Sequence, residues 1–216
     1  MIRLENISVA YKDKTVLHSI SLRVQEGEKI ALVGPSGAGK TTLLNKLYEI
    51  TRDRAAFVHQ DYALVPQLSA FHNIYIGRLD HYPTWYNILN LIKPQKQEVD
   101  RVSGILDSLN MTGKIFERVA KLSGGQQQRV AVARAIYRGG DILLADEPIS
   151  SIDPHQAGNV IKLILKTSRT VIVSLHAVEF ALEYFDRLVG LRHGKVHFDL
   201  PRKKVTKTLL TELYRT

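Results

Sequence analysis

The chain has 216 residues, 44% of them hydrophobic and 24% charged, and a formal net charge of +9. That length supports one well-buried domain and not two, the lack of cysteine excludes disulfides and thiolate metal sites, and no apolar run approaches the roughly 20 residues of a membrane-spanning helix. The basic residues are scattered apart from Arg202-Lys203-Lys204, so the charge reads as a solvated surface or one working beside an acidic leaflet, with no nucleic-acid partner expected.

In chain order, the first residues show none of the basic-then-apolar pattern of a secretory leader. Apolar residues alternate through Ile2-Arg3-Leu4, Ile7-Ser8-Val9 and Val16 to Val24, which predicts half-exposed N-terminal strands. Lys29–Val33 is continuously apolar, and a glycine-rich turn and a helical stretch over Lys40–Ile50 follow it. Further unbroken apolar runs at Ala55–Val58, Ile142–Ala145 and Val171–Leu175 read as strands buried on both faces. The expected fold is therefore α/β with a mostly parallel sheet. Between Ser69 and Asn110, Val99, Val102, Ile105, Leu106 and Leu109 recur at helical spacing without a strand pattern. The expectation is a single domain over 1–216 with a helical subdomain, about 69–137, inserted in the α/β core.

Gly34-Pro35-Ser36-Gly37-Ala38-Gly39-Lys40-Thr41 fits G-x-x-x-x-G-K-[ST] between a strand and a helix. Glycines let the backbone wrap a polyphosphate with its N–H groups inward, and the helix N-terminus adds a favourable field. Gly34 through Thr42 are the expected ATP-binding residues, with Lys40 on the β- and γ-phosphates and the Thr41 hydroxyl on Mg²⁺. Average composition gives this pattern by chance in about one such chain in a hundred. Ile142–Ala145 runs into Asp146 and Glu147, at the strand end where open α/β sheets bind ligands. Asp146 is placed to hold Mg²⁺ through water, and Glu147 to polarise an attacking water as general base. Leu122-Ser123-Gly124-Gly125-Gln126 reads as a capping box, and its helix start offers a second anion site.

Together, the phosphate loop, this pentapeptide and the acidic strand resemble the ABC ATPase family over essentially the whole chain, a P-loop NTPase core with N-terminal antiparallel strands. The resemblance implies a head-to-tail homodimer. ATP would lie between the phosphate loop of one copy and Ser123, Gly124, Gly125 and Gln126 of the other. It further implies that Tyr11 stacks on adenine, that Gln60 senses Mg²⁺ and the attacking water, that His176 contacts the γ-phosphate, and that Asp153 lies in a loop communicating between subunits. Gln60-Asp61-Tyr62-Ala63-Leu64-Val65-Pro66, Gly77-Arg78-Leu79, Trp85, Val173–His176 and Asp186–Leu191 look like the ATPase subunits of phosphonate importers. That likeness implies a transmembrane permease partner, an extracytoplasmic substrate-binding protein acting indirectly, and a peripheral place on the cytoplasmic face of the inner membrane. An exporter or lipoprotein-release ATPase is the alternative, and a DNA-associated ATPase a more distant one.

Two departures stand out. The interval from Lys40 to Gln60 is shorter than the family's, so the antiparallel hairpin usually found there is expected to be largely absent. Ile152 stands where a small residue often precedes the loop aspartate.

Overall fold

The computed structural model describes residues 1–12 and 14–215. Its centre is a six-stranded sheet of β3 (Lys29–Val33), β4 (Ala55–Val58), β5 (Ile142–Asp146), β6 (Thr170–Ser174), β7 (Arg187–Arg192) and β8 (Lys195–Pro201), in the order β4-β5-β6-β3-β7-β8. All neighbouring pairs are parallel except β7 and β8, which form an antiparallel hairpin. A separate two-stranded antiparallel sheet holds β1 (Ile2–Tyr11) and β2 (Lys14–Val24).

The continuous apolar runs are explained by cover on both faces. Along β3, Ile30 and Leu32 pack with β1, β2 and α1 (Lys40–Thr51), while Ala31 and Val33 face the core made with the later helices. In β5, Ile142 and Leu144 likewise face one side, and Leu143 and Ala145 the other. Each strand thus divides its side chains by the two-residue pleat period. Chain reversal from α1 into β4 takes only the turn at 52–54, with no strand between them.

From β4 to β5 the chain is helical: α2 (Ala70–Tyr75), a 3₁₀ segment (Ile76–His81), α3 (Thr84–Ile92), α4 (Lys96–Ser108) and α5 (Gly124–Arg138). Its interior contains a buried carboxylate. Glu98, 1% exposed, accepts hydrogen bonds from the hydroxyls of Tyr137 (2.5 Å), Tyr82 (3.1 Å) and Tyr86 (3.4 Å), and pairs with Arg101 at 3.3 Å. Tyr75 stacks on Tyr82 with ring centres 5.9 Å apart, and burial beside Glu98 pushes its phenol up to about 12. After β5 come α6 (Pro154–Thr167), α7 (Val178–Tyr184) and, beyond the hairpin, α8 (Lys207–Tyr214). Strands β7 and β8 and helix α8 were not anticipated from the sequence. In β7 the glycine at 190 interrupts the apolar run, because the Phe198 ring on β8 lies where a side chain would stand.

Glu98 ties α3, α4 and α5 together, and Ala in its place strands the Tyr137 hydroxyl in the interior. Glu98→Ala is expected to lower stability by about 2–4 kcal/mol. In urea titrations the midpoint falls while the slope is retained.

Candidate functional site

The phosphate loop joins β3 to α1, and the ends of β4, β5 and β6 lie beside it on the same edge of the sheet. Gly39 closes the loop as N-cap of α1 at φ 102, and a side chain there would meet Leu17. Lys40 is buried, and its ammonium donates to the carbonyls of Gly34 (2.7 Å) and Pro35 (3.1 Å). Burial pushes that ammonium below its ordinary range, while Glu147 and Asp146 draw it back up. Ser36, Gly37 and Thr41 are exposed, Pro35 and Thr42 half-buried, and Ala38 buried. Thr41, Gln60 and Asp146 share the walls of a cleft of about 490 Å³ with Asn45, His59 and Asp61.

Asp146 ends β5 in register with Ser174 on β6. Its carboxylate is buried; Oδ1 accepts from the Ser174 hydroxyl at 2.5 Å, and Oδ2 has no partner in the protein. An orphaned, buried, ionisable oxygen facing a phosphate loop fits a cation. Among the described residues no three His, Cys, Asp or Glu side chains cluster as a metal cage. The donors expected from the sequence, the Asp146 carboxylate, the Thr41 hydroxyl and the Gln60 amide, would make an all-oxygen set that leaves places for water and phosphate, which fits Mg²⁺.

Glu147 follows in the left-handed region, at φ 51. Its N–H is shared between the Ser174 hydroxyl (3.0 Å) and carbonyl (3.2 Å), and its carboxylate meets His176 Nε2 at 2.6 Å. The residues expected to act on phosphate and water therefore assemble around the loop: Lys40, Thr41, Gln60, Asp146, Glu147 and His176.

The pentapeptide forms the start of α5. Ser123 is the N-cap: its side chain accepts from the Gln126 N–H (3.4 Å), and its own N–H donates to the Gln126 side chain (3.0 Å). At Gly125 a β-carbon would stand 2.6 Å from the Ser151 carbonyl, so only glycine allows this approach. Among the described residues, no hydrogen bond links Ser123–Gln126 to Gly34–Thr42 of the same chain. Tyr11 is 56% exposed at the end of β1, and Asp153 caps α6, accepting from the His155 N–H at 2.9 Å. Among the described residues, no side-chain hydrogen bond or ion pair draws either into the cluster.

Four residues of the arrangement were not read from the sequence. Ser174 was legible only as a hydroxyl ending an apolar strand. Gln128 is buried one turn beyond Gly125 and bonds to the segment from Glu147 to Ser151. Arg134, also on α5, donates to the carbonyls of Tyr62 (2.7 Å) and Ala63 (2.5 Å), just after Gln60. Tyr214 reaches back from α8 to accept the Gly34 N–H at 3.1 Å.

Comparison with known proteins gives this geometry a family. The ABC transporter profile matches residues 17–150. The phosphonates import ATP-binding protein PhnC of Anaeromyxobacter dehalogenans (strain 2CP-C) is 38% identical, over 95% of this chain and 46% of that protein, so the chain spans about half of that relative. PhnC 1 of Pseudomonas syringae pv. tomato is 36% identical, over 99% of this chain and 91% of its own; the alignment runs to 243 positions, so that relative carries residues this chain lacks. Among solved structures, the dimeric bacterial ABC transporter cassette MJ0796 superposes with a TM-score of 0.81 at 27% identity, covering 95% of this chain and 100% of that one. A post-hydrolysis dimer of the same cassette, bound to ADP and Pi, gives 0.77 at 26% identity and the same coverage. With its phosphate loop, acidic strand end and capped α5 on one fold, the chain belongs to the ABC transporter family, as an ATP-binding cassette.

Proposed function

We propose that this chain is the ATP-hydrolysing subunit of an importer. It works as a head-to-tail homodimer on the cytoplasmic face of the membrane and drives uptake of an oxyanion, a phosphonate, through a separate permease. The observation that carries the hydrolytic part is the group at the end of β5: a buried carboxylate oxygen without a partner, and beside it Glu147 held by His176 at 2.6 Å. Support for the cargo comes from the relatives, which are named for phosphonate import. The reading takes 1–216 as one ATPase domain with the helices of 69–137 inserted.

Lys40 and backbone N–H groups within Ser36–Thr42 bind the phosphates. Thr41, Gln60 and Asp146 Oδ2 would hold Mg²⁺, which would supply positive charge against the phosphates. Glu147 orients the attacking water and takes its proton, with its backbone fixed by Ser174 and its carboxylate aimed by His176. Tyr11 offers its exposed ring to adenine. Ser123, Gly124, Gly125 and Gln126 present their helix start to the nucleotide of the second copy, since among the described residues no hydrogen bond brings them to the phosphate loop of their own chain.

Helix α3 supports a permease partner. It turns Tyr86, Asn87 and the fully buried Asn90 inward, where Asn87 accepts from Tyr75 and Asn90 accepts the Gln95 N–H. Trp85 (67% exposed), Ile88, Leu89, Leu91 and Ile92 (79%) face outward. A helix with its polar side satisfied inside and its apolar side in water fits an apolar partner surface. No helix among the described residues is long and apolar enough to cross a membrane.

Glu147→Gln is expected to keep ATP binding, lose about 10²–10⁴ in turnover, and accumulate an ATP-bound dimer on gel filtration. Adding Ser123→Arg to that variant removes the dimer. Near wild-type turnover by Glu147→Gln refutes the assignment.

Trp85→Asp combined with Ile92→Asp leaves ATPase activity of the purified subunit unchanged. Recovery of this variant with its co-expressed permease falls about tenfold or more. Undiminished co-purification removes α3 from the docking surface.

A further inference from the structure

Helix α5 does two things at once. Under the reading above, its N-terminus serves the nucleotide bound to the partner copy. Three residues past Gly125, the Gln128 side chain, 1% exposed, points the other way, into its own chain. Its Nε2 donates to the Glu147 carbonyl at 2.6 Å and to the Ser150 hydroxyl at 3.1 Å, and its Oε1 accepts the Ser151 N–H at 2.8 Å. Gly125 closes against the Ser151 carbonyl in the same stretch.

Glu147 therefore has two anchors. Its N–H is fixed to Ser174 on the sheet, and its C=O is fixed to Gln128 on α5. A residue at positive φ, strained for a side chain of this size, is held only by such flanking bonds. When α5 shifts relative to the sheet, the peptide after Glu147 has to follow, because releasing it strands a buried carbonyl and a buried amide.

We infer that Gln128 is a positioning residue that sets the hydrolytic carboxylate Glu147 according to the place of α5, so that hydrolysis at one composite site answers to nucleotide engaged at the other. This rests on the homodimer reading and adds to it the residue through which the sites communicate. Gln128 touches neither phosphate nor water; it acts through Glu147.

The test uses Gln128→Met, which keeps length without donors, and Gln128→Glu, which keeps the acceptor for Ser151 but loses the donor to Glu147. In both, kcat is expected to fall about tenfold to a hundredfold. The melting temperature falls, because the Glu147 carbonyl loses its buried partner in both variants, but ATP affinity holds, and the sigmoidal ATP dependence of the wild type flattens to a Hill coefficient of about 1. Turnover within about twofold of wild type in both variants, or a wild-type curve that is already hyperbolic, overturns the inference. So does a loss of kcat matched by an equal loss of ATP affinity, which marks a purely structural role. The homodimer reading is checked separately by the ATP-trapped dimer of Glu147→Gln. If that dimer forms and Gln128→Glu turns over normally, only the role of Gln128 is lost.

Discussion

One hydroxyl orients both acidic residues of the site. Ser174 Oγ donates to Asp146 Oδ1 at 2.5 Å and accepts the Glu147 N–H at 3.0 Å. The parallel register of β5 and β6 places it there, with Asp146 opposite Ser174. With Oδ1 occupied in this way, Oδ2 is left without a partner, and with the Glu147 N–H held, the chain turns sharply enough for its carboxylate to reach His176. The direction of both carboxylates is thus a property of strand pairing, which is stiffer than any loop.

Helix α5 is the second organiser. Arg134 fixes the backbone after Gln60, Gln128 fixes the backbone after Glu147, and Gly125 lies against Ser151. Tyr62, in the segment held by Arg134, also meets the Ser151 hydroxyl at 2.7 Å. Burial lowers the tendency of the Arg134 guanidinium to stay charged, and Asp61 offsets part of that. The loop after β4 and the turn after β5 consequently move with one rigid element and not independently.

What could be read from the sequence was whatever is local along the chain. The phosphate loop announces itself because strand, glycines, lysine and helix are consecutive, and the Ser123–Gln126 capping box because its partners are three residues apart. Ser174, Gln128, Arg134 and Tyr214 act across long separations, Tyr214 on Gly34 from the other end of the fold, and no spacing rule reaches that far. Periodicity also fails to say which side of a helix faces in. On α3 the apolar residues are outside, because Tyr86 is drawn to the Glu98 carboxylate, Asn87 to the Tyr75 hydroxyl, and Asn90 to the Tyr86 carbonyl and the Gln95 N–H. The β7–β8 hairpin escaped for a similar reason, since the gap at Gly190 is filled by Phe198 from the neighbouring strand.

The chain's only tryptophan is Trp85, and it stands in water on the outer side of α3. Its indole stands nearly perpendicular to the Tyr86 ring, with ring centres 5.6 Å apart, and the other eight tyrosines are distributed elsewhere in the protein. Intrinsic emission excited at the red edge therefore reports one face of one helix and nothing of the nucleotide cleft. The wild-type protein carries a built-in optical probe of that face, readable without a label.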